Sequence, residues 1–259
     1  MVRLNGTNQY LTGAFPDRTW NAMFLRVSFN PSFFDGTYRY ILDMTDTGMG
    51  LIRLYTYQGP ANLVIYPYFY TSNTHLAPSR GTYANPSPHT AGEGPTSLVM
   101  VWDGSAYAFY TGGGRRYKYA CTGTFRWGVN NFRVGTAFNA SGGFFQGDIG
   151  HIILHDEVPE PFVGLPDYVP DCELGATAYL EALGIPTPLV LYDWRANDGT
   201  NYGSGGSDYD LTPQNSPVFM ASDFQYKWVE ETIPLIEYPR ATVFAARLRA
   251  TRLRARVRL

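Results

Sequence analysis

Ser97-Leu98-Val99-Met100-Val101-Trp102-Asp103-Gly104-Ser105-Ala106-Tyr107-Ala108-Phe109-Tyr110 consists of two apolar, aromatic and β-branched runs on either side of one Asp-Gly pair. Asp-Gly between two such runs is a strong hairpin signal, because Gly tolerates the positive φ that a tight turn demands. The stretch therefore reads as two antiparallel strands. Working outward, the same grammar repeats. Residues 22–29 alternate and stop at Asn30-Pro31, and 37–44, 51–57 and 63–70 follow, each bounded by Gly, Pro, Asp or Asn. Residues 71–96 form a long polar stretch with four prolines, the kind of loop that is functional or mobile. Residues 131–137 and 144–156 complete the set of strands.

Composition agrees. In 259 residues there are 20 Tyr, 16 Phe, 5 Trp, 27 Gly and 18 Pro, while charged residues are only 16%. Short aromatic strands joined by many turns have this make-up, and disordered chains, poor in aromatics, do not. The formal net charge is −2 but unevenly spread. Seven of the 20 basic residues are Arg240, Arg247, Arg249, Arg252, Arg254, Arg256 and Arg258, and no acid follows Glu237. The preceding body holds the other 13 against all 22 acids, a net −9. A basic tail on an acidic body points to an acidic partner for the tail. Two cysteines, Cys121 and Cys172, make no disulfide framework and read as two inert thiols.

One helix is expected at about 171–183, with Asp171 as its cap, Leu174, Ala178 and Leu180 on its apolar side, and Gly184 then Pro186 ending it. The expected plan is a β-sandwich over 1–165, a helical connector over 166–187, a β-rich appendage over 188–238 and a basic tail over 239–259. Residues 245–259 are a degenerate five-residue repeat, Arg-Leu-Arg-Ala with variants. Arg247 and Arg249 share one strand parity, and Arg252, Arg254, Arg256 and Arg258 the other. A helix would spread these arginines all round. Extended pairing with the edge of a neighbouring subunit is the expected use, Leu248, Leu253 and Val257 filling pockets between the guanidinium groups. Nucleic acid is the disfavoured rival and free solvation the plain alternative.

Two stretches resemble the laminin-G-like, concanavalin A-type jelly roll. Leu4-Asn5-Gly6-Thr7-Asn8-Gln9-Tyr10-Leu11 resembles its opening strand pair. Phe145-Gln146-Gly147-Asp148-Ile149-Gly150-His151-Ile152-Ile153-Leu154-His155-Asp156 resembles its closing strand, with His155 where Tyr is usual. The resemblance covers residues 1 to about 160 and implies an all-β, two-sheet antiparallel jelly-roll sandwich. Phe24, Val27, Val99, Val101, Ile149, Ile152 and Leu154 are expected inside. The resemblance places Ile149, Ile152 and Leu154 inward together, which implies a bulge near Gly150. A third stretch resembles an element that accompanies laminin-G-like modules in tailed-phage virion proteins. It runs from Leu191-Tyr192-Asp193-Trp194 through Asp198-Gly199, Gly203-Ser204-Gly205 and Asp208-Tyr209-Asp210-Leu211-Thr212 to Ser216-Pro217-Val218-Phe219, without the family's usual Glu. The terminal repeat is also similar to phage structural proteins.

Candidate sites divide by chemistry. Glycosidases on this fold place two carboxylates across the scissile bond, and no Glu-x-Asp-x-x-Glu run occurs. The one acidic cluster, Asp156, Glu157 and Glu160, is broken by Pro159, so no catalytic residue is expected. Histidines His151 and His155 are expected on the surface or rim, and His75 and His89 sit unaccompanied in the long loop. Gly112-Gly113-Gly114-Arg115-Arg116 reads as a turn between strands, not a phosphate cradle. No cofactor is expected beyond calcium, for which Asp103, Asp148 and Asp43 with Asp46 are weak candidates beside their plain reading as turn aspartates. Tyr66, Tyr68 and Tyr70 share one parity and, with Tyr55 and Tyr57, make a tyrosine face suited to a glycan or a protein partner.

The resemblances together imply a non-enzymatic accessory protein of a phage virion: a capsid decoration, head-fibre or tail component that displays a lectin-like sandwich. Expected partners are capsid or tail subunits, in a homo-oligomer or multi-copy assembly, and surface glycans, without membrane or nucleic acid. The opening Met-Val-Arg-Leu-Asn-Gly has no apolar signal core. Synthesis in a host cytoplasm and residence in the virion are the expectation. A stand-alone carbohydrate-binding lectin and a glycoside hydrolase are the alternatives.

Overall fold

The computed structural model describes residues 1–32, 36–46, 50–58, 63–72, 75–76, 96–111, 113–127, 132–137, 139–169, 175–194, 196, 198–220, 228–229 and 255–256. In chain order the strands are β1 (Val2–Asn5), β2 (Tyr10–Gly13), β3 (Arg18–Trp20), β4 (Met23–Pro31), β5 (Tyr38–Asp46), β6 (Gly50–Gln58) and β7 (Leu63–Tyr70). They continue with β8 (His75–Leu76), β9 (Thr96–Trp102), β10 (Ala106–Thr111), β11 (Gly114–Ala120), β12 (Phe125–Trp127), β13 (Phe132–Val134) and β14 (Gln146–His155). After helix α1 (Ala176–Ala182) come β15 (Val190–Tyr192), β16 (Thr212–Gln214), β17 (Val218–Phe219), β18 (Trp228–Val229) and β19 (Ala255–Arg256).

Two antiparallel sheets face each other. The first has the order β11-β10-β9-β4-β14-β1-β17, with β15 also on β14, and the second β16-β2-β13-β5-β6-β7-β8. Neighbours in space are far apart in sequence, as β4 with β14 and β2 with β13. This crossing pattern is the concanavalin A-like jelly-roll sandwich. The Asp-Gly hairpin forms as expected, with Trp102 opposite Tyr107. Asp103 Oδ1 accepts the amides of Ser105 at 2.9 Å and Ala106 at 2.7 Å, and Gly104 takes φ 87°. The bulge near Gly150 is also present, since the register between β14 and β4 shifts between Ile149 and His151. It turns Ile149 and Ile152 to the same, inter-sheet side.

The central strands β4, β10 and β14 of the first sheet are buried on both faces. Met23, Leu25, Val27 and Phe29 face the inter-sheet core with Leu98, Met100, Ile152 and Leu154. Their alternates Phe24, Val99, Val101 and Ile153 pack into a second core with Phe162, Leu165, Tyr179, Leu180 and Leu191. Phe24, Val99 and Val101 were expected between the sheets. Their parity places them under a cap built by residues 158–169 and 175–185. The cap also corrects the expectation for the histidines. His151 and His155 do point away from the inter-sheet core, but with 2% and 6% exposure they are covered by it, not solvated.

The helix inside the cap is shorter than expected. Ala176–Ala182 starts after Gly175, which offers no side-chain cap, and buries Ala176, Tyr179 and Leu180. Asp171, Cys172 and Leu174 lie outside the described residues. Cys121 is buried, and its carbonyl accepts the Trp102 indole N–H at 2.9 Å.

Residues 188–220, within the expected β-rich appendage, extend the sandwich. β15 and β17 extend the first sheet and β16 the second, within one compact unit, Met1–Phe224. Asn201 ties this segment together. Its Oδ1 accepts Leu191 N at 2.8 Å and Gly203 N at 2.9 Å, and its Nδ2 donates to Leu189 O and Gly206 O. At Gly199 a Cβ would lie 1.9 Å from Leu211 O, so only glycine lets the two backbones meet. A second unit, Gln225–Leu259, contains the pairing of β18 with β19. Of the tail residues, Arg256 lies in β19, while Arg247, Leu248, Arg249, Arg252, Leu253, Arg254, Val257 and Arg258 lie outside the described residues. No helix among the described residues is long and apolar enough to cross a membrane.

Double burial makes a quantitative expectation. Truncating Ile152 removes methylenes from the inter-sheet core and truncating Phe24 removes a ring from the cap core. Urea denaturation should show Ile152→Ala losing about 2–5 kcal/mol and Phe24→Ala about 3–5 kcal/mol. A surface-like cost for Phe24→Ala, below about 0.5 kcal/mol, would mean that the cap does not pack on this sheet.

Candidate functional site

The second sheet alternates where the first does not. In β6 Ile52, Leu54 and Thr56 are buried, while Arg53, Tyr55 and Tyr57 are half-buried on the other side. In β7 Ile65, Pro67 and Phe69 are buried, and Tyr68 and Tyr70 are half-buried. The register continues the pattern across strands: Tyr38 lies opposite Tyr57, Tyr40 opposite Tyr55, and Tyr55 opposite Tyr66. The outer face of this sheet is therefore a field of tyrosines drawn from three strands. The side chain of Tyr66 lies outside the described ones.

The rings touch. Tyr38 lies 5.6 Å from Tyr55 and 5.1 Å from Tyr57, and Tyr40 5.3 Å from Tyr55. Tyr55 and Tyr68 stack at 5.4 Å with 24° between planes, and Tyr55 Oη donates to Tyr68 Oη at 3.0 Å. Tyr70 packs edge-on to Tyr68 at 6.2 Å. Mutual packing fixes the rings, so the face is a rigid platform. Tyr38 is its most exposed member at 39%.

Sequence reading found five of these tyrosines and missed their neighbours. Tyr38 and Tyr40 have one parity in β5, and that signal was available. Arg53 likewise shares the parity of Tyr55 and Tyr57, whereas Asp43, Arg133 and Tyr10 were not identifiable with the face, because strand pairing alone brings them there. Asp43 has 0% side-chain exposure and accepts Arg53 Nε at 2.9 Å. The Arg53 guanidinium lies 5.6 Å from the Tyr40 ring centre, and that of Arg133 lies 5.5 Å from Tyr10.

Burial raises the Tyr55 phenol well above its ordinary value, the hydrogen bond to Tyr68 adding to it. Burial also raises Tyr70, with Tyr68 helping and Arg53 opposing. At neutral pH both keep their protons. The platform can thus stack on a ring face and donate or accept hydrogen bonds through neutral hydroxyl groups.

The other candidates sit elsewhere. Asp148 accepts Arg3 Nε at 2.7 Å. Asp103 is lowered: burial acts to raise it, but the amides of Ser105 and Ala106 and the Ser105 hydroxyl outweigh that. No group of three His, Cys, Asp or Glu among the described residues is placed to hold a metal ion. Gly113 and Gly114 turn between β10 and β11, and Arg115 bonds to Leu165 O and Asp167 in the cap. Asp156 is bonded by Arg18, with Glu157 and Glu160 exposed nearby. His155 Nε2 lies 3.2 Å from Pro186 O. His151 Nδ1 lies 3.0 Å from Ser28 Oγ, and Arg26 Nη1 contacts its Nε2. Arginine can only donate, so in this contact Nε2 is the acceptor. His75 lies in β8, and His89 lies outside the described residues.

No protein-family model and no curated protein sequence matches the chain. Solved structures similar to it include a heptameric SAP-like pentraxin from Limulus polyphemus, at 14% identity and TM-score 0.43, covering 61% of this chain and 76% of that one. A sialidase CBM40 from Ruminococcus gnavus bound to α2,3-sialyllactose has 11% identity and TM-score 0.36, covering 54% and 78%. A Bacillus licheniformis β-glucanase has 12% identity and TM-score 0.30, covering 51% and 62%. The fold assignment rests on this chain's own strand order and packing.

Buried phenols give the folded chain an alkaline limit. Burial raises Tyr192 well above the ordinary 10.0 and pushes Tyr110 up to about 12. Such groups keep their protons longer when folded than when unfolded, so their stabilisation is complete below pH 10.0 and lost as pH rises through the folded value. Melting temperature should fall across pH 10 to about 12, and ultraviolet titration should show a late-ionising class of tyrosines. Simultaneous ionisation of all tyrosines in the folded protein at the ordinary value would contradict the packing described.

Proposed function

We propose that this chain is a non-enzymatic, lectin-like display module that adheres to glycans through the outer tyrosine face of its second sheet. The observation that carries the reading is the packed set Tyr38, Tyr40, Tyr55, Tyr57, Tyr68 and Tyr70 on one face. Among the described residues this face has no apolar second layer, whereas the first sheet is capped. Sugar rings present apolar C–H faces to aromatic rings and hydroxyl groups to phenols. The carboxylate on this face, Asp43, is buried against Arg53 and unsuited to protonate a leaving group. Support for a virion setting comes from residues 191–219 and the terminal repeat, which resemble tailed-phage proteins. In that setting the arginine-rich tail attaches the module to capsid or tail subunits and many copies display the face.

A glycan array followed by titration of the best binders tests the adhesion. Tyr55→Ala should lose about 10-fold in affinity, the value of one stacked aromatic, while retaining its circular-dichroism spectrum. Full affinity in that variant, or release of reducing ends by the wild type, would refute this reading.

Deleting residues 240–259 tests the attachment. The truncated sandwich should remain folded and bind the same glycans, yet disappear from purified particles on mass-spectrometric analysis. Incorporation at wild-type occupancy would show that the tail is not the anchor.

A further inference from the structure

One row of the tyrosine sheet is charged. Register places Thr12 opposite Arg133, Arg133 opposite Asp43, Asp43 opposite Arg53 and Arg53 opposite Tyr68. All five alternate to the outer face. Asp43, with no exposure, thus lies between Arg133 and Arg53 on the strands to either side and accepts Arg53 Nε. Each arginine lies beside a tyrosine ring, Arg53 by Tyr40 and Arg133 by Tyr10. The two are separated by two strand spacings, about 9.5 Å.

We infer that the Arg133–Asp43–Arg53 row selects a carboxylate-bearing glycan, one containing uronate or sialate, for the tyrosine platform. The inference rests on the glycan-binding reading above and names its ligand class. Two cations to one carboxylate make this strip positive, on a body whose residues before Arg240 total −9. An anion is attracted to such a strip and repelled by its surroundings, which orients a polyanion along it. Asp43 and the tyrosine rings hold the guanidinium planes, so little side-chain entropy is lost when a carboxylate docks on their N–H forks. The Tyr55 and Tyr70 phenols, raised by burial, stay neutral and add no repulsion. Asp43 itself is too buried to meet the ligand and acts as a positioning residue.

Polygalacturonate, alginate and hyaluronan, each beside its carboxyl-reduced form, are the probes, titrated by calorimetry at low and high salt. Wild-type protein should bind at least one acidic polymer about 10-fold more tightly than its reduced form, a margin that salt erodes. Arg133→Gln should bring the acidic polymer down to the affinity of the reduced one. Dextran and dextran sulfate form a second arm. A preference for dextran sulfate without one for any carboxylate polymer would overturn the inference. Equal wild-type affinities for acidic and reduced polymers would also overturn it while leaving glycan adhesion standing. Binding to none of the probes or to an array would overturn both. A wild-type dimer in sedimentation that becomes monomeric in Tyr38→Ala would place a second copy on this face, again overturning both. The wild-type comparisons stand whether or not the variants fold.

Discussion

Strand β14 is buried on both faces, and the rest of the molecule is arranged to keep it so. It pairs with β4, β1 and β15. Ile149, Ile152 and Leu154 go to the inter-sheet core and Ile153 to the cap. A strand with apolar side chains in both directions needs two layers of cover, as in sheets coated on both sides. The second sheet supplies one and residues 158–169 with 175–185 the other. Polar groups caught beneath the cap must then satisfy each other. Arg26, fully buried, contacts His151 and lies 3.8 Å from the Tyr179 ring centre, and His151 is held by Ser28. Arginine tolerates this site because its delocalised cation is weakly hydrated and stacks on aromatic faces.

The second sheet has the opposite economy. Among its described side chains the apolar residues point into the inter-sheet core, and the other side carries tyrosine, threonine, arginine and Asp43. Tyrosine suits this role because each ring is both a large packing surface and a polar handle. Rings that pack on each other remain ordered without a covering layer, which is what a binding platform requires. The platform and the charged row share strands β5, β6 and β7, so in the proposed reading stacking and charge would meet the same ligand.

The segment after α1 closes the sandwich at its other edge. β15 and β16 belong to different sheets, and the loop between them is held by Asn201 and by the contact of Gly199 with Leu211. Glycine and asparagine occur there for backbone reasons: one lacks the Cβ that would collide, and the other bonds several main-chain groups at once. This accounts physically for the Gly/Ser/Asp/Asn-rich composition of residues 197–207.

The sequence by itself determined the strands, the Asp-Gly hairpin, the bulge at Gly150 and the shared parity of Tyr66, Tyr68 and Tyr70. These are local properties, set by turn chemistry and by alternation with period two. It also carried a sign of the cap, since Leu98-Val99-Met100-Val101-Trp102 and Ile152-Ile153-Leu154 are continuous rather than alternating. Only the tertiary structure decided what covers those runs, and therefore that His151 and His155 are buried and that Phe24 and Val27 serve different cores. It alone decided that residues 188–220 belong to the sandwich. It alone set Arg133 and Arg53 on either side of Asp43, about ninety and ten residues away in the chain. Antiparallel pairing joins residues by register, not by sequence distance, and register is fixed by the burial of whole strands.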